Sequence, residues 1–305
     1  MSFLFEQGPR VVVQGITGRE ARMVVLHMVG YGTPIAAGVT PGKGGERVEG
    51  VPVFDSIVSA ASESGGPFDV SLVSVPPLAT LDAAAEAIAA GIGVLVVATE
   101  NVPLHDSVKL LALAREAGVS VIGPNSVGVI SPAARVKLGA IGGERPERAF
   151  VPGRVGVMSR SGGLTAEVGV QLKRRGLGVS TAVSIGGDAM IGTSPADLLR
   201  RFAADDETDA LVYVGEPGTR LEEDLAAALA DDRPGKPLVA VVLGTFMEDF
   251  PQGTAFGHAG AIIENGKGSP SEKMRRLAEA GALVAESFDD VFRLIVTAIG
   301  TEGRR

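Results

Sequence analysis

Short apolar runs alternate with longer stretches rich in Ala, Leu, Glu and Arg along almost the whole chain, and no other feature restricts the fold as strongly. In the first half, the runs and stretches fall in order at residues 11–15, 19–29, 35–39, 70–76, 80–90, 93–100, 106–117 and 119–124. Strands that alternate with helices at this spacing predict a parallel sheet covered by helices on both faces. The first half is therefore predicted to be a doubly wound α/β domain.

The same alternation begins again after an interruption. Residues 131–153 lack periodicity and carry several prolines and glycines and the charged segment GERPER, which is typical of a connection. We therefore predict a first domain over residues 1–131, a linker over 132–153 and a second doubly wound domain over 154–305. The runs and stretches of the second half fall at residues 154–159, 164–175, 179–186, 195–204, 210–216, 221–230, 237–244, 271–280, 282–287 and 288–299.

Composition fits this class of fold and narrows the class of partner. Hydrophobic residues make up 45% of the 305 residues and aromatic residues only 4%, so the core must consist of Val, Ile, Leu and Ala. The formal net charge of −8 argues against nucleic acid as the main partner, because a phosphate backbone requires a basic face. The absence of Cys excludes disulfides, thiolate metal sites and a cysteine nucleophile. With neither a signal-peptide pattern nor an apolar run of ~18 residues, a cytoplasmic protein without a membrane span is expected.

Two glycine-rich loops follow the first two predicted strands. QGITGREA joins a strand to a helix, where free N–H groups and the positive end of the helix dipole can receive a phosphate. GVTPGKGG should lie at the same carboxyl edge of the sheet and presents Lys43 between glycines. Taken alone, the first loop could be a merely tight turn and the second a solvated loop. Together they favour a phosphorylated ligand.

Two segments of the second half suggest a reactive site. SRSGGLTAE repeats the strand–turn–helix arrangement, with Ser161 as the predicted N-cap and Gly162 and Gly163 beside it; the sequence leaves open whether a phosphoryl group also binds there. GHAG places His258, one of three histidines, among residues without bulk. Such a histidine is either incidental to a loop or must be reached by a large group. Glu216 follows a strand at the same edge and could fix the ring tautomer or be a solvated loop acid.

These segments occur together and in a fixed order. QGITG, YGTPIAAGVTPGKGG, GVPVF, IGPNSVGVISP, PGRVGVMSRSGGLT, SIGGD and GHAGAIIENGKGSPSEK follow one another at the separations expected of one family. Over about residues 11–299 the chain resembles the α subunit of succinyl-CoA synthetase (succinate–CoA ligase) and its acyl-CoA ligase relatives. The resemblance implies a Rossmann-like CoA-binding domain followed by a flavodoxin-like ligase domain.

The resemblance also implies roles for individual residues. His258 matches the histidine that the family phosphorylates, and Glu216 matches the acid that steadies its ring. Ser161, Gly162 and Gly163 match the helix start that cradles the phosphohistidine. The contacts to CoA are implied for Thr17, Gly18, Arg19, Glu20, Lys43, Pro76, Ala98, Thr99 and Glu100.

The implied activity is acid–CoA ligation in three transfers. A phosphoryl group passes from ATP or GTP to His258 and then to the carboxylate of a small acid, after which the CoA thiol displaces phosphate and forms the thioester. The implied partner in a hetero-oligomer is an ATP-grasp β-type subunit, which would hold the nucleotide and Mg²⁺. No metal site is expected on this chain, and the implied metabolic place is the tricarboxylic acid cycle.

Four departures from the family pattern are visible. Ala166 stands where a tyrosine is usual, and residues 247–256 are acidic and apolar where the family is rich in Lys and Arg. Ser126 replaces a frequent cysteine, and Ala21 replaces a usual glycine. The first two lie near the expected acid and partner sites, so a ligase for malate, citrate or an aryl acid is the alternative.

Two further alternatives differ in class. A CoA-binding module without turnover is disfavoured, because a decayed site should lose its reactive histidine early. A dehydrogenase is poorly supported, because GVTPGKGG stands where an acidic residue would hold the ribose. His27, within the first predicted helix, is expected to be partly buried or at an interface, and His105 to be solvated; neither is expected to be catalytic.

Overall fold

The structure is a computed structural model that describes residues 8–251, 253–254, 257–258, 260–263 and 268–302. Within these ranges the chain forms two seven-stranded sheets with helices between the strands. The elements of the first sheet are β1 (Val11–Gln14), α1 (Arg19–Tyr31), β2 (Ile35–Val39), β3 (Arg47–Val48), β4 (Val51–Phe54), α2 (Ile57–Glu63), β5 (Val70–Val73), α3 (Thr80–Ala89), β6 (Val94–Val97), α4 (Leu104–Glu116) and β7 (Ser120–Ile122).

The second sheet and its helices follow directly. Its elements are β8 (Gly128–Ser131), β9 (Val136–Leu138), β10 (Pro152–Ser159), α5 (Gly162–Arg174), β11 (Val179–Ser184), α6 (Pro195–Ala203), β12 (Ala210–Gly215), α7 (Leu221–Asp232), β13 (Leu238–Val242), α8 (Pro270–Glu279), β14 (Leu283–Val284) and α9 (Phe288–Glu302). Among the described residues, no helix is both long and apolar enough to cross a membrane.

The first sheet has the strand order β3-β4-β2-β1-β5-β6-β7, and all its pairs are parallel except β3 with β4. Without the short β3, this is the order of a Rossmann fold. The winding reverses between β1 and β5, and doubly wound sheets bind their ligands in the crevice at such a reversal, beyond the carboxyl ends of the strands.

The second sheet has the order β14-β13-β12-β10-β11-β8-β9. From β10 to β14 every pair is parallel, in the flavodoxin-like order, and the winding reverses between β10 and β12. The predicted fold class, two doubly wound domains of Rossmann-like and flavodoxin-like order, is confirmed. Each sheet therefore has one crevice in which a site is expected.

Both faces of each sheet are covered, which explains the long apolar runs. On the first sheet, Val11 and Val13 belong to the cluster packed with α1, whereas Val12 belongs to the cluster packed with α3 and α4. On the second sheet, Val157 lies in the cluster that includes α5 and α9, and Met158 lies in the one that includes α6, α7 and α8. One cluster contains residues of both sheets, so the two domains share part of their core.

The hairpin β8–β9 differs from the predicted connection. β8 pairs antiparallel with β11, and β9 pairs with β8, so both strands extend the second sheet although they fall at residues predicted to end the first domain and form a linker. Thr33, two residues after α1, also donates to Lys137 O (2.8 Å) and accepts from Lys137 N (3.0 Å). The pairing strand lies about fifty residues later in the chain, and local periodicity carries no signal of such a partner.

Candidate active site

The turn from β1 to α1 lies where the first sheet reverses its winding. Gly15 has a φ of +79°, and a Cβ atom on it would lie 2.2 Å from the backbone oxygen of Ser74 after β5. The turn is closed by hydrogen bonds from Gly15 N to Val39 O (2.8 Å) and from Gly18 N to Gly15 O (2.9 Å). Gly18 caps α1 without a side-chain hydrogen bond, so no cap side chain occupies the N-terminus of this helix.

A cavity of about 780 Å³ lies beside this turn. It is lined by every residue predicted to contact CoA except Lys43, namely Thr17, Gly18, Arg19, Glu20, Pro76, Ala98, Thr99 and Glu100. The side chain of Lys43 is 51% exposed, and its Nζ lies 3.3 Å from Glu46. The segments after β1, β5 and β6 thus lie together at this edge of the sheet. Of the second glycine-rich loop, Thr40 lines the cavity and Lys43 does not.

The same cavity reaches the junction with the second sheet. Asn125, Ser126 and Val127 also line it. Nδ2 of Asn125 donates to Oδ1 of Asp188 (3.0 Å) in the loop after β11. A Cβ atom on Gly162, at the start of α5, would lie 2.6 Å from Cγ1 of Val127. The cavity of the first domain therefore borders the loops that follow β10 and β11 in the second.

The carboxyl ends of β10 and β12 form the crevice of the second sheet. β10 ends at Ser159, and the chain passes through Arg160 to Ser161. The Oγ of Ser161 accepts a hydrogen bond from Leu164 N (3.4 Å) and caps α5 as predicted. Gly162 and Gly163 are the first residues of that helix. Without bulky side chains there, the helix N-terminus can bring its N–H groups and dipole to an anion.

Glu216, which follows β12, bridges a histidine and an arginine. Its Oε2 lies 2.5 Å from Nδ1 of His258, and its Oε1 lies 2.7 Å from Nη2 of Arg160. Nη2 of Arg160 donates instead to Asp188 O (3.0 Å), so its contact with Oε1 is an ion pair rather than an aligned hydrogen bond. The side chain of Arg160 is only 1% exposed, and that of His258 is 36% exposed.

The contact with Glu216 determines the protonation of the ring. The hydrogen bond to Glu216 raises the pKa of His258 above its ordinary value, although burial and the charge of Arg160 lower it. A carboxylate can only accept, so Nδ1 carries the hydrogen and Nε2 of the neutral ring keeps its lone pair. The arrangement thus prepares Nε2 as the nucleophilic atom.

The guanidinium of Arg160 has donors that make no hydrogen bond to the described residues. Its Nε and Nη1 are buried and have no hydrogen-bond partner among the described residues. A buried cation with unmade hydrogen bonds is costly and favours an anion beside it. The site therefore combines a nucleophilic nitrogen, a fixed positive charge and a helix N-terminus, which suits transfer of a phosphoryl group.

Glycines surround the ring in a way that the sequence predicted only in part. A Cβ atom on Gly187 would lie 2.8 Å from Cδ2 and 2.9 Å from Nε2 of His258. Among the described residues no heavy atom lies within 4 Å of the Cβ position on Gly257, whereas a Cβ atom on Gly260 would lie 3.0 Å from Thr219. Gly260 thus serves close packing, and Gly187 supplies the face free of side-chain atoms. Ala259, predicted to share in this access, lies outside the described residues.

Arg160 and Gly187 were not predicted as site residues. Each stands within a quoted motif, Arg160 in SRSGG and Gly187 in SIGGD. Arg160 could have been found because it is a charged residue directly after a strand predicted to be buried. Gly187 could have been found because it is a second glycine at the end of a predicted strand. Neither signal shows which side chain would be contacted.

The departures from the family pattern have local explanations in part. Ala166 is half-buried on α5, against the cluster shared with α9. Ser126 is buried and donates to Ser184 O (2.5 Å), a bond that a thiol makes less well. Glu248 accepts from Ser271 N (2.8 Å) at the start of α8, so part of the acidic stretch caps a helix. The residues of this stretch at 252, 255 and 256 lie outside the described residues.

The other two histidines lie away from this constellation. His27 is half-buried on α1, and the side chain of His105 is 78% exposed on α4. In the part of the chain that the structure describes, no three His, Cys, Asp or Glu side chains are grouped as a metal site requires.

Two known families match the chain, one in each of the two sheets. Residues 6–101 match the CoA binding domain family, and residues 158–283 match the CoA-ligase family. A succinate–CoA ligase [ADP-forming] subunit alpha 2 from Archaeoglobus fulgidus is 44% identical over 295 residues, which cover 97% of this chain and 99% of that one. A subunit of an ADP-forming sulfoacetate–CoA ligase from Bilophila wadsworthia is 39% identical over 98% of this chain and 100% of its own.

A solved structure shares the whole fold. ATP citrate lyase from Methanothrix soehngenii, in complex with citrate and coenzyme A, superposes with a TM-score of 0.89 at 27% identity. The match covers 99% of this chain and 51% of that chain, so the present chain spans about half the length of that enzyme.

Proposed function

Because the chain belongs to the succinate–CoA ligase α-subunit family, we propose that it is the α subunit of a nucleotide-dependent acid–CoA ligase that works through phosphorylation of His258. The single observation that carries this is the 2.5 Å contact between Nδ1 of His258 and Glu216, which leaves Nε2 free to attack. A CoA-binding module without turnover would have no use for this contact.

CoA, a substrate of the reaction, supplies the thiol. The cavity beside the β1–α1 turn fits its phosphates, because Gly18 leaves the helix N-terminus uncapped by a side chain and Arg19 adds a positive charge. Thr17, Gly18, Arg19 and Glu20 are proposed to hold the phosphates, and Pro76, Ala98, Thr99 and Glu100 to line the adenine or pantetheine path. Lys43, outside the cavity lining, is proposed to add a longer-range charge contact.

The proposed reaction consists of three transfers. Nε2 of His258 attacks the γ-phosphorus of ATP or GTP, and the nucleoside diphosphate leaves. A carboxylate oxygen of the acid then takes the phosphoryl group, which returns the ring to its neutral form and gives an acyl phosphate. The CoA thiolate attacks the acyl carbon and inorganic phosphate leaves, while the thiol proton passes to solvent or phosphate. Arg160 and the N-terminus of α5 stabilise the phosphoryl charge.

The nucleotide and Mg²⁺ are proposed to reside on an ATP-grasp β-type subunit. The names of the relatives support an α subunit that acts with a second subunit and forms ADP. For the acid, relatives named for succinate and for sulfoacetate have similar identity to this chain, and both acids are small dianions. We propose a small dianionic carboxylic acid, with succinate as the first candidate. Malate, citrate or an aryl acid is the alternative, because Ala166 stands where the family usually carries a tyrosine.

The test of this function is phosphoryl labelling. The chain is co-expressed with its β-type partner and incubated with γ-³²P-ATP or GTP, and acid-labile, base-stable label is measured on this chain. We expect label on the wild type and none on His258→Ala. A panel of acids with CoA then identifies the substrate as the acid that discharges the label. CoA binding without any label would contradict the ligase and favour the binding module.

A second prediction concerns the CoA site. Gly15→Ala should weaken CoA binding at least about tenfold, because the new Cβ would lie 2.2 Å from Ser74 O and the turn must move. The matched control is Gly91→Ala, since Gly91 has a φ of +80°, close to the +79° of Gly15, but no heavy atom within 4 Å of the Cβ position. Calorimetric titration with CoA measures both. Equal affinities would show that the turn does not shape the CoA site.

A further inference from the structure

A buried group of polar side chains lies under Glu216 and takes no part in the transfers described above. Tyr213 on β12, Glu222 on α7 and Lys273 on α8 are 0%, 1% and 0% exposed. The hydroxyl of Tyr213 donates to Oε1 of Glu222 (2.6 Å), and Nζ of Lys273 donates to Oε2 of the same carboxylate. Both carboxylate oxygens are therefore partnered, as a buried charge requires.

This group also holds the backbone of the turn that carries Glu216. The backbone N–H of Glu216 donates to Oε1 of Glu222 (3.3 Å). Nζ of Lys273 donates to Gly218 O, two residues further along. One carboxylate and one ammonium group thus fix both ends of the segment from Glu216 to Gly218.

The same turn is locked to the segment that follows His258. Gly218 N donates to Gly268 O (2.8 Å), and a Cβ atom on Gly218 would lie only 1.9 Å from Gly260 O. Lys273 belongs to α8, which begins directly after that segment. The buried pair therefore ties together the two backbone segments that carry Glu216 and His258.

We propose that Lys273 and Glu222 are positioning residues that hold Glu216 at bonding distance from Nδ1 of His258. This inference rests on the proposed function, in which His258 accepts the phosphoryl group. A 2.5 Å contact between a strand-end turn and a loop persists only if both backbones are fixed. The Lys273–Glu222 pair fixes the turn at Glu216 through its own hydrogen bonds. It fixes the segment after His258 through the contacts of Gly218 with Gly260 and Gly268. Glu222 reaches Glu216 through the backbone N–H of Glu216, and Lys273 reaches the turn through the backbone oxygen of Gly218.

The experiment reads the histidine directly. The chain has three histidines, so ¹⁵N-histidine labelling of the full chain gives three rings, and His258→Ala identifies the relevant one. Among the described residues, the charged groups that shift the pKa of this ring are Glu216, Arg160 and Asp188. In Lys273→Met we expect the His258 titration midpoint to fall by at least half a pH unit and the Nδ1–H tautomer to lose its dominance. In the complex with the partner, labelling of His258 should slow at least tenfold with the KM for CoA unchanged.

The matched control is Lys137→Met. Lys137 is also 0% exposed, and its Nζ donates to a backbone oxygen, that of Gly143, but it has no bond to the turn at Glu216. This variant should lose comparable stability and leave the His258 titration as in the wild type. An unchanged titration in Lys273→Met, or an equal shift in Lys137→Met, would overturn the inference.

A second variant covers the case in which Lys273→Met does not fold. Removing all three polar groups together, as Tyr213→Phe with Glu222→Leu and Lys273→Met, leaves neither member of the Lys273–Glu222 pair buried without its partner, and such replacements are often tolerated. Glu223, whose Oε2 lies 3.8 Å from Nζ of Lys273, loses that cation, but its side chain is 17% exposed. The triple variant should fold and show the same shift of the His258 titration; a wild-type titration in it would refute the positioning role. Failure of the proposed function is distinguishable, because the wild type would then take no label while its ring still titrated as bonded to Glu216.

Discussion

Glu216→Gln should slow the phosphorylation of His258 by a factor of up to about 10⁴, the loss found when the carboxylate that orients a catalytic histidine is neutralised. Arg160 lies 2.7 Å from Oε1 and favours an oxygen at that position. The glutamine amide would therefore turn its oxygen to Arg160 and its NH₂ to Nδ1 of His258. Nδ1 would become the acceptor, and the hydrogen would move to Nε2, which then cannot attack.

The rate of His258 phosphorylation should depend on pH in a direction that the contact with Glu216 determines. Glu216 raises the pKa of His258 above 6.5, so the wild-type rate should fall as pH drops through a value above 6.5, where the ring becomes a cation without a free lone pair. In folding, the same raised pKa adds stability below the unfolded value that is lost as pH rises through the folded one. In Glu216→Gln the acid limb should move to lower pH while the plateau falls. Rapid-quench labelling from pH 5.5 to 8.5 measures both.

His258→Ala should take no label and sets the background of the assay. Arg160→Gln is the variant with which the tautomer of Glu216→Gln is compared. The second variant leaves Glu216 able to accept from Nδ1, so it should keep the Nδ1–H tautomer although it weakens phosphoryl stabilisation. If Glu216→Gln retained the wild-type rate and tautomer, Glu216 would be only a solvent-screened loop acid.

Gly187→Ala should reduce labelling of His258 by about 10²-fold, the size of effect that a displacement of about 1 Å can cause in a reacting group. The added methyl carbon would lie 2.8 to 3.0 Å from three atoms of the imidazole ring, including Nε2 at 2.9 Å. Arg160 holds Glu216 in place, so the carboxylate cannot follow the ring. The ring must therefore turn away from the position in which Nδ1 is bonded to Glu216. Gly187 does not line the CoA cavity, so CoA affinity should not change.

The matched control for this variant is Gly30→Ala. Gly30 lies on the exposed side of α1 with no heavy atom within 4 Å of its Cβ position, so the same methyl group meets nothing and should favour the helix. Labelling rates and calorimetric CoA affinities of the two variants form the comparison. Equal rates would mean that the ring can move without loss, and would remove Gly187 from the site.

The sequence predicted the two sheets because their signal is local and repeated. Apolar runs such as VSLVSVP and ALVYVGE are continuous because both faces of each strand are buried, and the intervening stretches are long enough for helices. α2 was missed, because its seven residues are too few to show a periodic pattern of apolar residues. Its start nevertheless carries a capping box formed by Ser56 and Ser59. The β8–β9 hairpin was missed because its partner strand is remote.

The candidate site was predictable where a side chain works through its chemical type. A histidine among small residues, an acid after a strand and a helix start of Ser and Gly are visible in one dimension, and the fold then places Glu216 and Ser161 at one crevice. Lys43 shows the limit, since a charge between glycines gives no direction, and its ammonium group lies beside Glu46 rather than in the cavity lining.

By itself, then, the sequence determined the class of fold, most of the strands and helices, the glycine turns and the histidine proposed to react. Only the tertiary structure decided that Arg160 pairs with Glu216, that Gly187 lies against the ring, and that Lys273 reaches Glu222 from 51 residues away. The reason is physical. Periodicity and turn chemistry act between neighbours in the chain, whereas these contacts form where the ends of β10, β11 and β12 come together and where α7 meets α8. Their distances follow from packing rather than from spacing.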